Sequence, residues 1–136
     1  MTEPKPRPRG VLEKVAGRIR RFLHELAETA HLAHELRSWV ASIPGTIPIR
    51  EAPLRTRVRL AGEVREITTR PEEPFEKLEA VLHDGSGEVR IVGLGRGSTP
   101  GLTVGSHLMV EGVIGEENGE RRMIDPAFGF VPMDAT

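Results

Sequence analysis

From Arg57 onward the apolar positions recur with period two. Val58, Leu60 and Val64 alternate with Arg57, Arg59, Glu63 and Arg65; Leu78, Ala80 and Leu82 alternate with Lys77, Glu79 and His83; Val89 and Ile91 flank Arg90. This is the signature of half-buried strands, and it predicts five of them, over 57–69, 76–83, 88–94, 106–115 and 120–131. Asp84-Gly85-Ser86-Gly87 and Asn118-Gly119 suit tight reversals, joining strands two and three, and four and five, as hairpins. Gly62 inside the first strand, and the loss of parity at Ile67, predict a bend or bulge. Asp125-Pro126 interrupts the last strand, which places it at a sheet edge or strand end. Five short strands in succession predict a small closed or nearly closed barrel.

The first third of the chain has a different period. Leu12, Val15, Ile19, Phe22, Leu26, Thr29, Ala33, Leu36, Val40 and Ile43 are spaced alternately by three and four, a heptad-like seam with one polar member, Thr29. Val11, Leu23, Ala30, Leu32 and Trp39 lie beside it. Pro44-Gly45 ends the helix. The resulting organisation is a disordered basic tip over 1–9, an amphipathic helical segment over 10–43, an extended linker over 44–56 and the barrel over 57–133. Ile47 and Ile49 are candidates to tack the linker onto the barrel. A helix of this length reaches roughly 50 Å, more than a five-stranded barrel can cover. Either it breaks near Gly17 or Thr29, or part of its seam meets another chain. Folding back on the barrel, self-association and docking of a different protein are the three outcomes.

Charge changes the picture by its distribution. The net charge is −1, yet the residues up to Ser42 carry eight Lys or Arg against five Glu, an excess of +3, and the remainder sums to −4. A basic extension is joined to a mildly acidic barrel. The run Lys5, Arg7, Arg9, Lys14, Arg18, Arg20 and Arg21 could add counter-charge to a nucleic-acid backbone. With Ile19, Phe22 and Leu23 it could also lie on a membrane, but Glu25, Glu28 and Glu35 shorten the basic face, so no membrane partner is expected. There is no cysteine, which excludes disulfides and thiolate sites. No apolar run approaches a membrane span, and the basic start is too interrupted for a secretory signal, so a cytoplasmic location is expected.

Catalytic and metal chemistry find little support. His24, His31 and His34 share one side of the helix without a further ligand at metal-binding spacing. Gly93-Leu94-Gly95-Arg96-Gly97 is glycine-rich, but Pro100-Gly101 forbids the helix a dinucleotide loop must open. Glu79, Asp84 and Asp125 form no paired acid and base, and no nucleophile triad is present. No enzyme activity, cofactor or metal is expected.

Together the motifs resemble a known family. They are Val58-x-Leu60-x-Gly62-x-Val64, Leu78-Glu79-Ala80-x-Leu82-x-Asp84-Gly85-Ser86-Gly87-x-Val89-x-Ile91-Val92, Leu94-Gly95-Arg96, Pro100-Gly101-Leu102-x-x-Gly105, Leu108-x-Val110-x-Gly112 and Ile124-Asp125-Pro126. The set resembles the oligonucleotide/oligosaccharide-binding (OB) fold in its tRNA-anticodon-type and RecG-wedge-like form, and small actinobacterial nucleic-acid-binding proteins in which a basic helical segment precedes such a barrel. The resemblance implies a mainly β, five-stranded Greek-key barrel behind an α-helical segment. It also implies a ligand lying across strands two and three. Outward positions there are Lys77, Glu79, Val81, His83, Arg90 and Val92, with Arg65, Arg70, Arg96, Arg121 and Arg122 nearby. Lys77 and these arginines, with Arg90, are candidates to hold phosphates, and His83 to stack or donate a hydrogen bond; the alternative is a solvated surface balanced by Glu63, Glu66, Glu79 and Glu88. The acidic loop of Glu116, Glu117 and Glu120 would repel a passing backbone. Where the resemblance leads one to expect a large aromatic between Val92 and Leu94 the chain has Gly93, tyrosine is absent, and parity puts no aromatic on this face. The function implied is therefore weak, sequence-independent binding of single-stranded DNA or RNA by an accessory protein. The alternative is a protein-interaction module, possibly homo-oligomeric through the N-terminal helix.

Overall fold

The computed structural model describes residues 9–72, 75–96 and 99–133. The expected tip over 1–9 lies outside the described residues, except for Arg9, which opens the helix α1 (Arg9–Ala41). The chain divides into two compact units, one ending at Leu32 and the other beginning at Ala33. α1 supplies the first unit and the opening of the second. It is one unbroken helix of 33 residues, so the break considered at Gly17 or Thr29 does not occur. Thr29 stays helical by bonding its hydroxyl back to the Glu25 carbonyl at 2.8 Å. At the C-terminal end the Thr46 hydroxyl donates toward the carbonyls of Val40, at 2.7 Å, and Ile43, at 2.9 Å.

The second unit holds β1 (Arg57–Glu72), β2 (Phe75–His83), β3 (Glu88–Arg96), β4 (His107–Glu117), β5 (Glu120–Ile124) and β6 (Ala127–Phe130). β1, β2, β3, β5 and β4 follow one another round a ring that closes where β4 pairs back onto β1. All these pairings are antiparallel except β3 with β5. The last expected strand is thus two, separated at Asp125-Pro126, and β6 lies against β4 outside the ring. β4 turns into β5 through Asn118 and Gly119, both left-handed at φ 52° and 80°.

The ring closes over the aliphatic positions that alternation points inward. Leu60, Val64, Leu82, Ile91, Leu108, Val110, Ile114 and Met123 are completely buried. Ile49, on a single 3-10 turn over Ile49–Glu51, enters the same core, and Ile47 and Leu102 pack against it. Asp84 fastens that turn to the β2–β3 hairpin. Its buried carboxylate accepts from the Ile49 N–H at 2.9 Å, the Ser86 N–H at 2.8 Å, the Ser86 hydroxyl at 2.6 Å and the Gly87 N–H at 3.2 Å. On the outside of the second unit Leu36, Trp39 and Val40 cover Ala61, with Ile43, Val131 and Met133 alongside.

β1 changes phase part way along. Val64 pairs with Leu82 and Glu66 with Val81, so Arg65 is the extra residue. Gly62, where the bend was expected, instead lets two strands approach closely, since a Cβ there would come within 2.6 Å of the His83 carbonyl oxygen. After the bulge Ile67 and Thr69 take the inward phase, while Glu66, Thr68 and Arg70 turn outward.

Candidate nucleic-acid interface

The outer face of β2, β3 and β5 carries a compact arginine–carboxylate network. Its centre is Glu79, whose side chain is only 5% exposed. Glu79 pairs across β2–β3 with Val92 and across β1–β2 with Thr68. Arg70 and Arg90 pair with Lys77 and Val81, so each lies diagonal to Glu79, the geometry from which a long side chain reaches a neighbouring strand. Arg70 Nε approaches Glu79 Oε2 at 3.6 Å, and Arg90 Nη1 approaches the same oxygen at 3.5 Å. Arg90 Nε also faces Glu120 Oε2 at 3.4 Å. Arg122 lies next to Arg90 in the parallel β3–β5 register and is paired with Glu117. The Arg122 Nε is buried and has no hydrogen-bond partner among the described residues.

These groups line a trough rather than a flat platform. One wall is Arg70 at the far end of β1. The other is the β4–β5 tip, Glu117, Asn118 and Glu120, with Arg122 below it. Two further depressions continue it, one toward Val81 and Glu88 through Arg90 and Glu120, the other toward Val113 and Ile124 through Glu117 and Arg122. Val113 and Ile124 are more than half exposed and give the trough an apolar end. The three outward residues Glu79, Val81 and Val92 are nevertheless buried, and Glu79 lies between these walls. The charge is balanced: Arg70, Lys77, Arg90 and Arg122 face Glu66, Glu79, Glu117 and Glu120.

The other candidates are placed differently. Arg65, at the bulge, is paired with Glu88. His83 is directed to Glu63 at 3.8 Å; His107 meets the same carboxylate at 3.1 Å, and its ring takes an edge contact from Trp39. His83 therefore belongs to the side of the barrel under the end of α1. Arg121 donates to the Arg50 carbonyl at 2.8 Å. Lys77 is half-buried. Arg96 ends β3, and its side chain lies outside the described residues. Sequence reasoning thus finds Arg70, Arg90 and Arg122 but not that Arg70 and Arg90 share Glu79 as one buried counter-ion, nor Val113, Asn118 and Ile124 as parts of the trough.

Position 93 explains the missing aromatic. Gly93 is left-handed at φ 87°, and a Cβ there would collide with the Asp125 carboxylate. Asp125, itself left-handed, donates its N–H to the Val92 carbonyl at 2.8 Å. The corner between β5 and β6 thus occupies the space an aromatic would need. Phe128 and Phe130 are partly exposed, but on β6, in register with the inward-facing Val110 and Leu108.

No family model and no curated protein sequence matches the chain. Among solved structures, it is similar to RecG in the structure of RecG bound to a three-way DNA junction, at 15% identity and a TM-score of 0.50. That match covers 62% of this chain but only 12% of the RecG chain. It is also similar to the replication factor A related protein from Methanobacterium thermoautotrophicum, at 13% identity and a TM-score of 0.51, covering 63% of this chain and 90% of the other. At these identities the likeness concerns the fold: the barrel is an OB barrel.

Proposed function

We propose that this chain is a nucleic-acid-binding accessory protein of the cytoplasm, holding single-stranded DNA or RNA weakly and without sequence preference, and that it acts by binding rather than by catalysis. The observation that carries the reading is the convergence of Arg70, Arg90 and Arg122 on one open trough, on the outer face of the second and third strands of an OB barrel. A phosphate entering the trough exchanges with Glu79, Glu117 and Glu120 for guanidinium hydrogen bonds from Arg70, Arg90 and Arg122. The fold likeness supports the same reading: the RecG structure is of a DNA complex. Binding is weak for two reasons. Every phosphate displaces a carboxylate already in place, and no aromatic on the described face adds the roughly 1–3 kcal/mol per base that stacking supplies. Val113 and Ile124 give bases an apolar surface of lesser strength.

The test is anisotropy of a labelled single-stranded oligonucleotide titrated with the full chain at two salt concentrations. Expected is measurable binding at low salt that falls steeply as salt rises. Absence of binding at low salt, or indifference to salt, overturns the reading.

A further inference from the structure

Among its described residues the first unit carries six exposed large hydrophobic side chains: Val15, Ile19, Phe22, Leu23, Leu26 and Leu32. Written as heptads from Leu12, they fall only on the four positions that face a partner in a coiled coil. Ile19 and Leu26 are a, Val15 and Phe22 are d, Leu23 is e and Leu32 is g. The outer positions b, c and f are Glu13, Lys14, Gly17, Arg20, Arg21, His24, Ala27, Glu28 and His31, all exposed. His24 and Glu28 are paired with each other along this outer face at 3.0 Å. Gly17 is at f, the position farthest from a partner. Such a stripe, unaccompanied in a single chain, has the form of one half of an interface.

We propose that the occupant of this stripe is a second copy of the same helix, running antiparallel. The orientation follows from charge. Between Val15 and Leu32 the only charged residues flanking the seam are Arg18 and Glu25, both at g and seven residues apart. In a parallel pair g faces e, so Arg18 would meet Leu23 and Glu25 would meet Ala30, leaving both charges against apolar groups. In an antiparallel pair g faces g. Placing Ile19 opposite Phe22 of the second copy then puts Val15 opposite Leu26, and the same register puts Arg18 opposite Glu25 twice, once on each side of the two-fold axis. Leu23 then lies against Ala16. In the same register Lys14 of one helix lies level with Ala27, beside Glu28, of the other, while Arg20 and Arg21, on outer positions, lie level with their own copies at the two-fold axis. All six exposed side chains lie on the face this register covers, and no like charges meet across the seam between Val15 and Leu32.

Sedimentation equilibrium of the full chain, with Arg18→Glu, Glu25→Arg, the double variant and Phe22→Asp, tests this. None of these residues belongs to the barrel core, so barrel unfolding is the control for folding. The chain is expected to form a dimer of its 15.0 kDa subunit. Phe22→Asp should yield the monomer. Each single charge reversal should weaken association on the order of tenfold, because two facing pairs become repulsive. The double variant should restore it. A wild-type chain that stays monomeric, whether or not it binds anionic vesicles, overturns the proposal. So does a dimer indifferent to Phe22→Asp. Two single reversals that are not repaired in the double variant overturn the antiparallel register.

Discussion

Replacing Glu79 by Gln separates the two roles of the arginine network, because stability and binding should move in opposite directions. The substitution keeps the shape of the side chain and removes one negative charge from the middle of the trough. In the wild type Glu79 is nearly enclosed and faces Arg70 and Arg90 at 3.6 and 3.5 Å. Loss of one partner from a buried ion pair costs about 3–5 kcal/mol when the remaining charge is stranded. Here neither remaining charge is stranded: the Arg70 side chain is 66% exposed, and Arg90 keeps Glu120. The cost should fall to about 1–2 kcal/mol, a fall in Tm of roughly 5–10 °C for a unit of this size. Binding should improve. A unit charge removed from about 4–6 Å of a phosphate, at an effective dielectric between that of water and about 20, is worth about 1–3 kcal/mol. The oligonucleotide should therefore bind roughly tenfold more tightly, with a steeper salt dependence. The assays are thermal unfolding and oligonucleotide anisotropy on the same preparations, across a salt series. A variant that loses stability and also binds more weakly, or binds as before, would show that phosphates do not enter this trough, and the functional proposal would go with it.

Truncating Arg70 to Ala should leave the Tm within a few degrees but weaken oligonucleotide binding about threefold to tenfold, and lower the log–log salt slope by about 0.7, the share of one single-strand phosphate. Asp84→Ala removes four hydrogen bonds from a carboxylate residue that is 1% exposed, and should cost about 3 kcal/mol in urea unfolding while leaving the residual folded fraction competent to bind. Gly93→Ala meets both a left-handed backbone and the Asp125 carboxylate, and should destabilise by about 2 kcal/mol or more; a neutral result in the same unfolding assay would mean that the corner after β5 yields freely.

Alternation is sufficient to find the strands, since Leu60, Val64, Leu82, Ile91 and Val110 obey it and are buried. It reports the side of a sheet on which a residue stands, and nothing about what rises beside it. Glu79, Val81 and Val92 accordingly count as outward by parity, yet they are buried there, Glu79 between the end of β1 and the β4–β5 tip. The pairing of Arg70 and Arg90 with one carboxylate depends on strand register, which a single sequence fixes only within the hairpins. The bulge is signalled twice, by Gly62 and by Ile67. The second signal is the accurate one, because the displaced parity begins at Arg65, whereas the glycine serves a close approach by the His83 carbonyl. The seam of α1 is legible from spacing alone. Its continuity past Gly17 and Thr29 is not, because a glycine on an outer position and a threonine bonded to its own helix disturb neither the spacing nor the backbone.

The single surplus residue at Arg65 works like a frame setting for everything downstream on β1. Were Arg65 to join the ladder as an ordinary rung, the even-numbered side chains after it would continue in the phase of Leu60 and Val64. Glu66, Thr68 and Arg70 would then be aimed at the oil-like centre of the barrel, and Ile67 at water. Deleting that codon would merely straighten the strand, because Glu66 would step into the rung next to Val64 and keep its outward aim. Adding a codon between Ile67 and Arg70 would instead turn the far end of the wall over, whereas most point substitutions there alter only one side chain. The electrostatic character of this protein is thus held less by which arginines it encodes than by the count of residues that precede them.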